Sequence, residues 1–231
     1  MDDNSHEQLR AVSLFAGLSS GELKAIGERC NWRDFKKGAE ILDQSETSTD
    51  VFFLLSGKVA AKSYSVSGRE VTYSEMGASS MFGEFSAIDG QPRSAMIEAL
   101  EETRVAIMSA GIFREVIAQH PSVALNLANH LVAKIRTLTT RVFEFSTLTV
   151  RYRLCLELIR LAEAAGHRDA RWVISPAPTH YHLATLLSTH REAVSKEMSH
   201  LSSLGILKAR RKEIEILEME RLRTMVTLES P

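Results

Sequence analysis

Cysteine is scarce in this 231-residue chain: Cys30 and Cys155 are the only two, far apart and without a C-x-x-C spacing. That excludes a thiolate zinc finger, a four-cysteine iron–sulfur cluster and a disulfide framework, and it fits reduced thiols in the cytoplasm. No run of about 18 apolar residues occurs, so no membrane span is expected. The opening MDDNSHEQLR is polar and acidic and lacks the apolar core of a signal peptide. A soluble, cytoplasmic protein with no membrane partner is the expectation. An excess of one charge is missing too. Lys and Arg number 28 against 29 Asp and Glu, which argues against a uniformly basic nucleic-acid binder. There is no P-loop, no G-x-S-x-G and no nucleophile with an identifiable base, so the chain does not read as an enzyme. His180, His182, His190 and His200 have no Cys or Asp neighbours to complete a ligand set, and no metal is expected. Met76, Met81, Met96 and Met108 read as core filler.

What is present is an ordinary globular composition, 44% hydrophobic and 25% charged, unevenly spread. Residues 1–149 hold 15 basic and 19 acidic side chains, while residues 150–231 hold 13 and 10. An acidic front and a basic back suit two parts with different partners. Leu14 to Cys30 reads as short helices, with Ser19 and Ser20 before Glu22 and with Leu23 and Ile26 facing one side. From Trp32 to about Met108 the texture becomes short apolar runs punctuated by Gly38, Gly57, Gly68, Gly77, Gly83 and Gly90. The expected strands are 40–42, 51–55, 58–64, 70–73 and 103–108, forming a small antiparallel β-sandwich or barrel.

A long helical segment follows, from about Ser122 to beyond Val150. Leu131, Ile135, Leu138, Val142, Phe145, Thr149 and Tyr152 step alternately by four and three, which is an a/d seam. No Gly or Pro interrupts it between Pro121 and Gly166. The seam favours a parallel partner helix, hence a homodimer held through Leu131, Ile135, Leu138, Val142 and Phe145. After the turn GHRDARWVISPAP, Thr179 can cap a helix with Leu183, Leu186 and Leu187 on its apolar face. Ser188-Thr189-His190 breaks the chain, and Arg191 to Leu204 forms the next helix with Val194, Met198 and Leu201 inward. Gly205 stops it, and 206–207 with 213–217 can pair as a wing around Arg210, Arg211 and Lys212. Two short helices and a hairpin describe a winged helix-turn-helix.

The strongest local signal is MFGEFSAIDGQPRSA, residues 81–95. Gly83-Glu84-Phe85 opens a single helical turn, where unpaired N–H groups and a glycine let an anion approach the main chain. Arg93 adds a bidentate fork for phosphate oxygens and Ser94 a hydroxyl donor. Glu84 beside an anion makes sense if its carboxylate accepts from a sugar hydroxyl and also balances Arg93. Phosphate and ribose together mean a nucleotide.

With these residues the chain resembles the cyclic-AMP receptor protein/FNR superfamily of bacterial regulators, in its catabolite activator branch. That family's phosphate-binding cassette is Gly-Glu followed by Arg-Ser-Ala or Arg-Thr-Ala, matched here by Gly83-Glu84 and Arg93-Ser94-Ala95 at the same spacing. Gly38, Asp50-Val51-Phe52 and Gly57 match its β-roll signature, and the resemblance runs from about Leu14 to the wing. It implies an α+β protein with a cyclic-nucleotide-binding β-roll over residues 1–120, a dimerisation helix over 121–149 and a winged helix-turn-helix DNA-binding domain over 150–231. It implies cyclic AMP and/or cyclic GMP as allosteric ligand, a homodimer on palindromic double-stranded DNA, and RNA polymerase as a further partner. In that family two adjacent hydroxyl residues on the dimer helix meet the purine. Matching the seam and the Arg153 region places Leu138 and Thr139 there, and a shift of one residue places Thr139 and Thr140 there.

The second constellation is Ser188-Thr189-His190-Arg191-Glu192-Ala193-Val194-Ser195-Lys196. Arg191, Glu192 and Lys196 can face the major groove while Val194 packs inward. Arginine pairs with guanine, glutamate accepts from cytosine N4 and lysine reaches a further guanine. The resembling family carries Arg-Glu-x-x-x-Arg here and reads a TGTGA-like half-site; Lys196 replaces the second arginine and loses its fork. Thr189, His190 and Ser195 complete the expected DNA-facing set, and Arg210, Arg211 and Lys212 are expected on phosphates. The competing readings keep the fold and change the input to haem, redox or another small ligand, or to none. A haem pocket has no need of Glu84 and Arg93.

Overall fold

The computed structural model describes residues 6–168 and 171–227. The chain divides into two compact units, the first ending at Arg136 and the second beginning at Thr137.

In the first unit two 3₁₀ stretches, His6–Ala11 and Ser13–Phe15, lead into α1 (Ser20–Gly27). A capping box starts α1: the Glu22 N–H donates to Ser19 Oγ, and Ser19 N–H donates to the Glu22 carboxylate at 2.7 Å. Eight strands follow: β1 (Asn31–Phe35), β2 (Glu40–Leu42), β3 (Val51–Ser56), β4 (Lys58–Tyr64), β5 (Glu70–Gly77), β6 (Met81–Phe82), β7 (Met96–Ala99) and β8 (Thr103–Met108). They pair antiparallel in two sheets, ordered β1-β8-β3-β6 and β2-β7-β4-β5. A six-residue helix, α2 (Glu84–Asp89), sits between β6 and β7, and α3 (Ala110–Gln119) and α4 (Pro121–Thr147) follow β8.

Strand β3 shows how sequence becomes layer. Side chains alternate across a strand, yet Val51-Phe52-Phe53-Leu54 is apolar throughout and buried throughout. Phe52 and Leu54 point into the core between the sheets, with Leu42, Val59, Phe82, Ile97 and Val105. Val51 and Phe53 point the other way, into a second core with Phe15, Leu23, Phe113, Val123 and Leu127 from the helices. The sandwich therefore carries a helical layer on one face, and α4 is tied to it by Val123 and Leu127.

The second unit takes the end of α4 and continues with α5 (Val150–Ala165), β9 (His167–Arg168), β10 (Arg171–Ile174), α6 (His180–Leu186), α7 (Arg191–Ser203), β11 (Leu207–Ala209), β12 (Ile214–Ile216) and α8 (Met219–Thr227). Its core gathers Leu154 and Leu158 of α5, Leu183 of α6, Val194, Met198 and Leu201 of α7, Ile214 and Ile216 of β12, and Leu222 of α8. The strands form one sheet ordered β11-β12-β10-β9.

The α+β reading, the glycine-punctuated β region and the helix-turn-helix all stand in the structure. Several elements escape the sequence reading. β1 is a polar edge strand, NWRDF, paired to β8 alone, so it lacks the apolar run that marks a buried strand. β5 extends four residues beyond the expected 70–73, and β6 and β7 flank the cassette. The stretch read as a turn, GHRDARWVISPAP, contains β10, which lies inside the sheet of the second unit between β12 and β9. The long helix is also not continuous. Thr149 is extended (φ −68°, ψ 164°) and caps α5, so the seam positions Thr149 and Tyr152 fall beyond a break. Neither Gly nor Pro marks that break; the chain turns with Leu148 buried.

Candidate functional site

The cassette is built on a glycine that no other residue can replace without strain. Gly83 ends β6 in the left-handed region (φ 84°), and a Cβ there would stand 2.7 Å from the Asp50 carbonyl oxygen and 2.8 Å from Arg93 Nη1. The tight approach brings the Arg93 guanidinium against the main chain. Arg93 Nη1 donates to the Gly83 carbonyl at 3.0 Å, and Nη2 donates to Ser48 Oγ at 2.9 Å. Arg93 is 5% exposed, and its Nε is a buried donor with no partner among the described residues. The guanidinium lies 5.9 Å from the Phe52 ring, which stacks on Phe82 with centroids 5.0 Å apart. Burial presses the Arg93 pKa down from its ordinary value, countered by the nearby charges of Asp50, Glu46 and Glu84. A buried guanidinium whose Nε is left unpaired is a preformed receptor for an oxyanion.

Glu84 is 1% exposed, and besides its charge interaction with Arg93 it has a direct partner that the sequence does not show. Its partner is Lys134 of α4, whose Nζ stands 2.7 Å from Oε1 and 4.6 Å from the centre of the Phe85 ring. His130, one turn earlier on α4, places Nε2 3.6 Å from the same oxygen. Burial alone would raise the Glu84 pKa; the His130 ring and the Lys134 ammonium outweigh it and hold the carboxyl below its usual range. The sequence reading missed Lys134, His130 and Ser48. The signal was the polar pair 130/134 at i, i+4, on the face of α4 that carries Leu127 rather than on the seam. Ser94 is exposed and its carbonyl accepts from Gln44 Nε2 at 3.1 Å, while Ala95 packs against the inter-sheet core.

On α4 the seam residues divide. Leu131 packs against its own unit's core. Ile135, Leu138, Val142 and Phe145 remain exposed in the single chain, joined by Val132 and Phe143. Thr139 and Thr140 are exposed on the same helix.

The second constellation lies on α6 and α7. Thr179 Oγ1 accepts from His182 N–H at 3.0 Å and caps α6, and Ser188 takes φ 50° in the turn between the helices. Thr189 N–H donates to the Ala184 carbonyl, and His190 caps α7 without a side-chain bond. Val194, Met198 and Leu201 are inward, while Arg191, in the first turn of α7, and Glu192 and Lys196, on its outer side, are exposed. Ser195 is half-buried and 2.8 Å from His180 Nδ1, a contact that ties α7 to α6. In the β11–β12 wing Arg210 pairs with Glu213 at 2.7 Å, while Arg211 and Lys212 are exposed. No group of three metal-ligating side chains occurs among the described residues, and no described helix is long and apolar enough to cross a membrane.

Residues 32–120 match the Cyclic nucleotide-binding domain, and residues 152–225 match the Crp-like helix-turn-helix domain. The chain belongs to the Crp/FNR family. It is 26% identical over 217 residues to the CRP-like cAMP-activated global transcriptional regulator of Mycobacterium tuberculosis, covering 94% of this chain and 97% of that one. It is 27% identical over 212 residues to the Cyclic AMP receptor protein of Thermus thermophilus, covering 91% and 94%. The c-di-GMP responsive global regulator of Xanthomonas campestris has the same fold, with a TM-score of 0.77 at 16% identity over 86% of this chain and 99% of that one. As a Crp/FNR member the protein is a transcription regulator with a cyclic-nucleotide-binding domain and a DNA-binding domain.

Proposed function

We propose that the protein is a homodimeric regulator that binds cyclic AMP and/or cyclic GMP through the Gly83–Arg93 cassette and then binds a palindromic, TGTGA-like operator. The buried Arg93 Nε, the one guanidinium nitrogen of that residue with no partner among the described residues, carries the reading. It supports a cyclic phosphate at Arg93 and Ser94, with Glu84 accepting from the ribose hydroxyl while Lys134 keeps it charged. Leu138, Thr139 and Thr140 remain the base contacts implied by the family resemblance. A single threonine hydroxyl both donates and accepts, so it serves adenine and guanine alike and discriminates at most about tenfold. The exposed apolar stripe of α4 supports a second copy of the chain as its cover. Cytoplasmic action and contact with RNA polymerase follow from this role.

The test is calorimetric titration with cyclic AMP, cyclic GMP and c-di-GMP, with and without operator selected from random DNA. Micromolar or tighter binding of a cyclic mononucleotide is expected, lost on Arg93→Ala by about 3 kcal/mol, on the order of a hundredfold, because a desolvated phosphate is left unpaired. Equal affinity in that variant overturns the site. A preference above a hundredfold for one purine overturns the single-hydroxyl account, and Thr139→Ala then shows whether that residue made the choice.

A further inference from the structure

Outside both sites, four charged side chains close on one another at the α4–α5 corner. Arg141 and Glu144, three apart on α4, meet Glu157 and Arg160, three apart on α5, with the order of sign reversed. Arg141 Nη2 donates to Glu157 Oε2 at 3.0 Å, and Arg160 Nη1 donates to Glu144 Oε2 at 3.2 Å and to Glu157 Oε2 at 3.4 Å. Arg160 Nη2 adds a second bond to Glu144, so that pair is bidentate. Glu144 and Glu157 are 4% and 5% exposed. Two carboxylates this deep are tolerable only while each is paired, and removing one partner leaves an uncompensated buried charge. The corner cannot open without separating both pairs at once. Beside the set, the Arg153 guanidinium of α5 lies 5.3 Å from the Phe145 ring of α4. A break in a helix is ordinarily where two parts flex; here the charges close it, and the compact unit begins not at the break but at Thr137, about three turns earlier.

We propose that this four-charge clamp fuses the last three turns of α4 to the DNA-binding domain, so that residues 137–227 respond to ligand as one body and bending falls upstream of Thr137 instead of at residues 148–149. This deepens the regulatory reading above and rests on it for the identity of the ligand. The seam residues Leu138 and Val142 and the candidate base contacts Thr139 and Thr140 then belong to the same body as Arg191. A displacement imposed on them reaches the recognition helix undiminished.

Spin labels on the full chain at Ser146→Cys and Ser202→Cys, both exposed, measure the corner directly. Cys30 and Cys155 are buried, with thiols pushed up to about 12 and about 11, so the label goes to the introduced positions. In labelled chain diluted with unlabelled chain, the 146–202 distance should be narrow and unchanged by saturating cyclic AMP. Glu157→Gln should broaden it about twofold and reduce the ratio of operator affinities with and without cyclic AMP about fivefold or more. Reversing all four charges together (Arg141→Glu, Glu144→Arg, Glu157→Arg and Arg160→Glu) should restore both, because the same three pairings re-form with their signs exchanged. A wild-type distance that shifts with cyclic AMP, or Glu157→Gln leaving width and ratio unchanged, overturns the clamp. Should Glu157→Gln fail to fold, Arg141→Met supplies the same comparison. The width without ligand tests the clamp even if no cyclic mononucleotide binds, which separates its failure from failure of the ligand assignment.

Discussion

Gly83 and Glu84 show how much of the proposed nucleotide site rests on single atoms. Alanine at Gly83 keeps φ near 84° only with strain and sets its methyl against the Asp50 carbonyl and the Arg93 guanidinium. Gly83→Ala should cost about 2 kcal/mol of stability in thermal melts and weaken cyclic-nucleotide binding at least about tenfold by titration. Glu84 offers a pH handle with a definite sign. Its folded pKa lies below the unfolded one, so its stabilisation is complete above the ordinary carboxylate range and is lost as pH falls through the depressed value. Glu84→Gln should therefore flatten the fall in melting temperature as the pH drops through and below the ordinary carboxylate range, where the wild type loses this contribution. Gly83, Glu84 and Arg93 were legible in the sequence because the cassette is contiguous. Lys134 was not, since the pairing spans fifty residues and depends on how α4 is rotated, which the seam alone does not fix.

Among the elements, α4 and α7 each divide their faces cleanly. Leu138 lies mid-way along the exposed stripe of α4. A carboxylate there would be buried against a partner helix, so Leu138→Glu should convert a dimer at micromolar concentration into monomer in sedimentation. A monomeric wild type counts against the seam. On α7, Arg191→Ala should cost roughly 1–3 kcal/mol of operator affinity and relax preference at one base. In the wing, Arg211→Ala with Lys212→Ala should lower the slope of log affinity against log salt by about 2 without changing sequence preference. The heptad pattern made α4 readable. It hid the stop at Thr149, because nothing in Leu148-Thr149 is a helix breaker and the turn is imposed by tertiary contacts. β10 was hidden for a different reason: Arg171 to Ile174 is short and sits among Gly, Asp and Pro, so local turn chemistry outweighed its apolar alternation.

Across the whole molecule three cores are divided between two compact units. Two lie on either face of strand β3 in the first unit, the third lies under the helix-turn-helix, and each gathers its members from its own unit. Calorimetric unfolding should accordingly resolve two transitions. A cyclic nucleotide at a hundred times its Kd adds about 2.7 kcal/mol to the unit that holds the cassette, raising that transition by roughly 5–10 °C and the other by less than half as much. A single joint transition would show that the units do not unfold independently. The division into a β part and a helical DNA-binding part was visible in the change of texture near Met108 and in the spacing of Leu183 to Leu201. The boundary inside α4 was not, because covalent helix continuity masks it. That helix carries Lys134 toward the Glu84 carboxylate, an exposed apolar stripe, and Arg141 and Glu144 toward α5, all within about eleven residues. Its inheritance is accordingly pleiotropic: a change here seldom alters one trait alone. Compensating second-site changes arise most readily on the surfaces α4 touches, in α2 or α5, where one contact can be retuned without disturbing the other two.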